Sequence, residues 1–368
     1  MNSEDVTTLG SVAKCFDSKR IPLSTREREL RQGQYPYYGA AGIIDYVNKP
    51  IFSGQYLLLG EDGSVIEEDG KPVLQLVSGE FWVNNHAHVL QGETDLETRF
   101  LYYALKNTNI QGFVTGAVQP KLNQANMNRI PVYFPNKSTR ERIVEMLGSL
   151  DDKIELNRQT NATLEAIAQA IFKEWFVDFN YPGATGELVE SELGPIPKGW
   201  RVDNFGGFTT VSSGKGLKRT EFTNEGYPVL GANGKIGSTN NYLLDGEVIL
   251  TGRVGTLGTL QLINKKAWIS DNVLIITPVE TFCYHYLYFW LKTVDFQNLN
   301  RGSTQPLITK TDLLNLLILR PDINVLIDYD RICRGLFALV EIYNNESGML
   351  SEIRDLLLPK LMSREIEL

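Results

Sequence analysis

Residues 301–321 read "RGSTQPLITKTDLLNLLILRP", and 186 positions earlier residues 115–135 read "TGAVQPKLNQANMNRIPVYFP". Each phrase sets a Gly and a Gln-Pro pair before a polar turn, an apolar run and a closing Pro. The polar side chains in and around these phrases suit one kind of chemistry. A guanidinium can bind guanine through two hydrogen bonds and an Asn or Gln amide can do the same to adenine, while Lys and Ser more often hold phosphate. Around the later phrase lie Lys215, Lys218, Arg219, Asn233, Lys235, Arg253, Arg301, Ser303, Thr304, Gln305 and Lys310. Around the earlier one lie Arg20, Arg26, Asn84, Asn85, His86, Gln119, Lys121 and Asn123. Taken singly, each is an ordinary solvated surface group; the set makes nucleic acid a candidate target. The Gln-Pro pair itself has two readings, a turn that packs a short helix on its sheet or a corner that presents polar groups to DNA.

Catalytic chemistry is absent from the pattern. "TGRVGTLG" at Thr251 is Gly-rich but fits neither G-x-G-x-x-G nor a P-loop, and "GANGKIGS" at Gly231 reads as a turn. "VDFNYPG" lacks the paired prolines of an adenine methyltransferase motif. His86 and His88 alternate along an expected strand and so should share a face. Only His285 remains besides, so a structural or DNA-facing pair is expected rather than a metal site. No Ser-His-Asp or Cys-His arrangement stands out. Catalytic and metal-binding residues are therefore expected to be absent.

These groups must be positioned by something, and the chain repeats itself in order. "YPYYGAAGIIDYVN" from Tyr35 answers "YPVLGANGKIGSTN" from Tyr227, and "GQYLLLGEDGSV" from Gly54 answers "GEVILTGRVGTL" from Gly246. "FLYYALK" at Phe100 answers "YLYFWLK" at Tyr286. A period near 190 residues means a duplicated domain rather than a solenoid. Each copy reads as mixed α/β. "QYLLLG", "EVILTG" and "VLIITP" look like strands, and "RFLYYALKNT" and "HYLYFWLKTV" like short helices whose aromatic stripes pack the core. Thr309 and Asp312 form an expected capping box.

Between and after the copies the pattern changes. From Ile143 the positions Leu147, Leu150, Ile154, Asn157, Asn161, Leu164, Ala168, Ile171 and Trp175 follow steps of four and three, a coiled-coil seam. Ser138 and Glu141 should cap its start, and "NYPG" after Phe179 should stop it. A noisier seam runs from Leu336 to Leu357 until Pro359 interferes. The simplest partner for one such helix is the other, antiparallel. Asn157 and Asn161 on the seam either fix register or sit at a wet edge. The expected organisation is 1–137 first α/β domain, 138–180 central spacer helix, 181–197 linker, 198–322 second α/β domain and 323–368 C-terminal spacer helix. The fold class is α/β: two similar α/β domains separated by two long antiparallel helices in a coiled coil, a pseudo-twofold internal repeat.

The 368-residue chain carries a formal charge of −8, unevenly spread. Counted by segment, residues 1–139 carry −2, 140–197 carry −6, 198–322 carry +3 and 323–368 carry −3. Acidity in the helices leaves room for local basic surfaces elsewhere. No window is apolar enough for a membrane span, no signal peptide is expected at the start, and three scattered cysteines suit a reduced cytoplasm.

Two similar domains held apart suit a target that repeats along an axis, as half-sites on duplex DNA do. Beyond this, the chain resembles a type I restriction–modification specificity subunit over nearly its full length. The resemblance rests on "LDDKIELNRQTNATLEAIAQAIFKEWFVDF" at Leu150, "GPIPKGWRV" at Gly194, "SGKG" at Ser213, "GSTQPLI" at Gly302 and "IRDLLLPKLMSREI" at Ile353. It implies that each domain reads one half of an interrupted double-stranded DNA site and that the helices dock two methyltransferase subunits. It also implies two restriction and translocase subunits in the complex. S-adenosylmethionine, ATP and Mg would belong to those partners, and this chain would hold no cofactor. Candidate docking residues are Glu165, Glu174, Trp175 and Phe176. The first domain departs from the second in lacking the "PIPKGW" and "SGKG" phrases. The competing readings are a self-contained methyltransferase or nuclease, for which no motif is present, and a coiled-coil protein-binding adaptor without DNA readout. Salt-dependent DNA retention separates the adaptor from a recognition subunit.

Overall fold

The computed structural model describes residues 5–116, 119–302 and 306–367, so Ser303, Thr304 and Gln305 lie outside the described residues. The chain forms two compact units, Met1–Arg158 with Asn344–Leu368, and Gln159–Tyr343.

The first unit opens with β1 (Val6–Thr8), α1 (Leu9–Val12), β2 (Lys14–Cys15) and α2 (Thr25–Glu29). There follow β3 (Gln32–Tyr38), β4 (Ile43–Val47), β5 (Phe52–Ser53), β6 (Tyr56–Gly60), β7 (Leu74–Val77), β8 (Glu80–Val83) and β9 (Ala87–Gln91). After α3 (Asp95–Lys106), α4 (Gln124–Asn128) and β10 (Pro131–Tyr133), the chain enters α5 (Lys137–Phe176). One sheet has the order β2-β9-β6-β7, a second β4-β3-β8-β5, and β1 pairs with β10. Central β6 is apolar on both faces. Leu57 and Leu59 join Leu90, Phe100 and Leu105 in the larger core, while Tyr56 and Leu58 join Phe52 and Phe81 on the other side. A strand covered on both faces loses the alternating pattern and reads as a continuous apolar run.

The second unit repeats this plan after β11 (Leu188–Val189) and β12 (Ile196–Pro197). Its strands are β13 (Arg201–Asn204), β14 (Thr209–Ser213), β15 (Phe222–Thr223), β16 (Tyr227–Gly231), β17 (Gly234–Thr239), β18 (Val248–Gly252), β19 (Leu260–Ile263), β20 (Trp268–Ile269) and β21 (Val273–Pro278). Then come α6 (Tyr284–Leu291), α7 (Lys310–Leu314), β22 (Leu317–Arg320) and α8 (Ile323–Met362). The sheets run β14-β21-β18-β19 and β15-β17-β16-β20, and β13 pairs with β22. The first of these copies β2-β9-β6-β7 strand for strand. In the second, β17-β16-β20 copies β4-β3-β8, including the parallel pair β16/β20 that answers β3/β8. The aromatic stripe of α6 is core: Tyr284, Tyr286, Leu287, Phe289 and Leu291 are buried with Phe172 and Phe176.

Both long helices divide between the units. In the first unit, Ile143 and Leu147 of α5 and Leu358, Leu361 and Met362 of α8 close the larger core. Arg354 donates to Asp151 (2.7 Å), and Asn157 donates to Glu346 (2.8 Å) and Ser347 (3.2 Å), so the two helices run antiparallel there. Asn157 is 1% exposed, which makes it a buried, hydrogen-bonded seam residue rather than part of a wet edge. In the second unit, Tyr329 of α8 packs edge-on against Phe176 and donates to the Ala168 carbonyl (3.1 Å).

Three expectations at helix ends are corrected. The cap of α5 is Asn136, whose Oδ1 accepts from Thr139 N (3.0 Å); Ser138 and Glu141 lie inside the helix. At the other end α5 stops at Phe176, before the "NYPG" signal, as Phe179 takes a left-handed φ of 61°. Its ring sits edge-on to Trp200 at 5.7 Å, a contact that helps offset that strained backbone. Pro359 does not end α8, which continues to Met362. The burial of Leu358, Leu361 and Met362 holds that last turn despite the missing N–H.

Candidate nucleic-acid interface

The twice-written phrase folds into the same corner in both units. In the first, Leu122 N donates to Glu61 O (2.9 Å), Gly63 N to Pro120 O (3.2 Å) and Thr115 N to Lys121 O (2.8 Å). In the second, Ile308 N donates to Arg253 O (3.1 Å), Gly255 N to Pro306 O (3.0 Å) and Arg301 N to Leu307 O (2.9 Å). The loop after β6 is thus stitched to the Gln-Pro segment as the loop after β18 is. Glycine is required where each loop begins: a Cβ on Gly60 would lie 2.2 Å from Ser64 O, and one on Gly252 1.9 Å from Thr256 O. A capped short helix follows each corner. Asn123 Oδ1 accepts from Asn126 N (2.8 Å) before α4, and Thr309 and Asp312 form the expected reciprocal box before α7.

On this shared backbone the side chains differ. The first corner carries Glu61 and Asp62 where the second carries Arg253 and Val254, and Thr115 and Lys121 where the second carries Arg301 and Leu307. Gln119 donates to Asp62 Oδ1 (2.8 Å), and His86 Nδ1 lies 4.0 Å from Asp62 Oδ2. Asn84 is buried and accepts from His86 N (2.8 Å). These residues converge on one cleft together with Gly39 and Ile44. Asn85, Lys121 and Arg26 are exposed, Arg26 on the separate helix α2.

Arg20 and the histidine pair are corrected. Arg20 is a strut beneath the corner, donating to Glu61 (2.6 Å) and Ala87 O (2.7 Å) and pairing with Asp17 (3.2 Å). His86 sits exposed in the turn before β9. His88 is 1% exposed, with Nδ1 2.5 Å from Asp17 and Nε2 2.8 Å from Leu122 O, so the two histidines do not share a face. Burial pushes the Asp17 carboxyl up, but the His88 contact, the Val89 N–H and the Arg20 charge together hold it below the usual value. Cys15, Asp17 and His88 bring their polar atoms within 4.8 Å of one another. Both His88 nitrogens already face hydrogen-bond partners and Arg20 lies against the acids, so the cluster suits a closed ionic support better than a metal.

In the second unit, Arg253 Nη1 donates to Ser213 Oγ at 3.4 Å. Arg301 is exposed but ion-paired with Asp312 (2.7 Å). Lys215 has its backbone pinned, N to Ile269 O (2.8 Å) and O to Trp268 Nε1 (2.8 Å), which leaves its ammonium exposed. Lys218 and Arg219 are exposed beside it, Asn233 and Lys235 on the β16–β17 hairpin, and Lys310 at the start of α7.

Of the docking candidates, Glu174 is exposed and accepts from Asn180 (3.0 Å), and Trp175 is half-buried against Tyr329. Phe176 is corrected: it is a core residue. Glu165 is corrected too, since it accepts from Tyr288 (2.9 Å) and pairs with Lys292, tying α5 to α6.

Two positioning residues escaped the sequence reading. Gln75 donates to Gly39 O and Ala40 O (both 3.0 Å), and Gln261 donates to Gly231 O (2.8 Å) and Ala232 O (2.9 Å), anchoring equivalent hairpins. The signal was present as "LQLV" at Leu74 and "LQLI" at Leu260.

Residues 2–166 and 197–353 match the family model of the type I restriction modification DNA specificity domain. The MjaIX specificity subunit of Methanocaldococcus jannaschii is 24% identical over 98% of this chain and 95% of its own. A Haemophilus influenzae protein named as a type I restriction enzyme specificity subunit is 38% identical over 142 residues, 39% of this chain and 36% of that one. The solved structure of a type I restriction–modification S subunit from M. genitalium shares the fold, with a TM-score of 0.60 at 18% identity over 97% of this chain and 95% of that one. No helix among the described residues is long and apolar enough to cross a membrane. With the family model matched twice, once over each copy of the duplicated fold, the chain belongs to the type I restriction–modification DNA specificity family.

Proposed function

We propose that this chain is the non-catalytic specificity subunit of a type I complex, each α/β domain reading one half of an interrupted duplex site. The observation that carries this reading is the duplicated corner: one backbone scaffold, used twice, with different polar side chains on it. A shared scaffold gives both halves the same approach to the duplex, and the unlike side chains give each half its own bases. The helices dock the methyltransferase subunits, with Glu174 and the rim of Trp175 among the groups on offer. S-adenosylmethionine, ATP and Mg act on the partner subunits, in the cytoplasm. Two methyltransferase and two restriction subunits complete the assembly.

The test is a domain exchange in the assembled methyltransferase complex, read by mapping methylated sites across a genome. Replacing residues 198–322 with the matching segment of a relative should change one half of the recognised site and leave the other half intact. DNA retention should also fall steeply with salt. If both halves change together, or retention ignores salt, the reading is wrong.

A further inference from the structure

The cleft beside the first corner has a volume of about 440 Å³ and is lined by Gly39, Ile44, Asp62, Asn84, His86 and Gln119, among others. No lysine or arginine is among its described lining residues, whereas Asp62 contributes a carboxylate. A phosphate there would meet a like charge with no cation to offset it. The polar atoms suit a neutral group with amino hydrogens. Asp62 Oδ1 takes the Gln119 amide hydrogen at 2.8 Å, and this fixes which way the amide faces. Gln119 then presents its Oε1 as an acceptor beside the second hydrogen of Nε2. That acceptor–donor pair matches adenine N6–H and N7, and a carboxylate accepts equally well from cytosine N4. Asn84 is 5% exposed and commits its Oδ1 to His86 N. Its Nδ2 has no acceptor among the described residues, so a donor also lines the cleft.

On one side the cleft is walled by small residues, Gly39, Ala40, Ala41 and Gly42. Gly39 to Gly42 form the turn between β3 and β4, and Ile43 and Ile44 beyond it are 47% and 53% exposed. The second corner lacks this arrangement, since Val254 stands where Asp62 does.

We propose that this cleft receives the edge of a base bearing an exocyclic amino group, adenine or cytosine, at one position of the first domain's half-site. Asp62 positions Gln119 for that contact and excludes phosphate. The inference rests on the DNA-reading function proposed above.

The experiment uses the full chain assembled with its methyltransferase subunits and duplexes carrying its mapped site. Each adenine of the half-site is replaced in turn by purine, which lacks N6, and each cytosine by pyrimidin-2-one, which lacks N4. Wild-type complex should lose roughly tenfold or more in binding at one such position, and the analogue that does so tells adenine from cytosine. Gln119→Ala should bind the natural and substituted duplexes about equally at that position and keep wild-type preference at the other half-site. Asp62→Asn, a near-isosteric change, should relax the same position and tighten binding to unrelated duplex. If both variants weaken all sequences alike, or keep the full single-position preference, the cleft is structural and the proposal is overturned. If wild-type complex retains no DNA at any salt, the DNA-reading function falls first and this proposal with it.

Discussion

Thr309 and Asp312 show what a single pair of side chains does at a corner. Thr309 Oγ1 accepts from Asp312 N (3.2 Å), and Asp312 accepts from the Thr309 hydroxyl (2.7 Å) and N–H (3.1 Å) and from Arg301. Thr309→Ala should lower stability by about 1 kcal/mol, within the usual range for a lost N-cap, measured by urea unfolding. The Thr309 hydroxyl first, then Arg301 and the Thr309 N–H, hold the Asp312 carboxyl below the usual aspartate value, against its own burial. A depressed folded value means a contribution fully present above the ordinary aspartate range and lost as pH falls through the folded value. Unfolding at a series of acid pH values should therefore show a shallower acid loss for Asp312→Asn than for wild type. Arg301 itself is 70% exposed, so its ion pair adds little to stability.

At the scale of elements, each recognition domain is clamped to its own stretch of helix, and the two clamps are variations of one design. Arg99 of α3 donates to Asp152 (2.6 Å) and to Gly148 O (3.0 Å) on α5. The repeat offset of 186 maps Arg99 onto His285 of α6 and Gly148 onto Arg334 of α8. There His285 meets Asp330 (2.6 Å), and Arg334 binds Asp330 (2.6 Å) and Glu247 (2.9 Å). The guanidinium has moved from the domain helix to the long helix, and the facing residue has shrunk to make room. A Cβ on Gly148 would lie 3.1 Å from the Arg99 guanidinium carbon. Gly148→Arg should therefore destabilise the first unit by about 1–3 kcal/mol through overpacking. Adding Arg99→His should recover part of the loss, and thermal melts of the double-mutant cycle would show strictly additive losses if the two positions were uncoupled. The seam of α5 was legible because steps of three and four place all ten positions on one face, and none of them is exposed. The corners were legible because the phrase recurs. Ion-pair partners were not: Arg20 and Glu61 stand 41 residues apart, and Glu165 and Lys292 127 apart, separations that leave no trace in local spacing. The Asp62–Gln119 contact, 57 residues apart, was hidden for the same reason.

Over the whole molecule, the two long helices are the parts most open to a geometric test. Each has 40 residues, a length of about 60 Å at 1.5 Å per residue, and each gives residues to both units. If they set the distance between the half-sites, seven residues inserted after Arg158 and seven after Tyr343 should keep the 3–4 phase of both seams. Each helix would grow by about 10 Å, close to three base pairs of duplex. Both changes are needed, because lengthening one helix alone would leave its seam without a facing partner. A four-residue insertion at the same two points is the control. It shifts the apolar stripe out of phase with the seven-residue repeat, and stability should fall. Genome-wide methylation by the assembled complex then reads the outcome: with seven residues added, the same two half-sites should be methylated with the gap between them widened by about three base pairs. Unchanged half-sites with an unchanged gap would mean that the partner subunits set the spacing, and these helices would be left with docking alone.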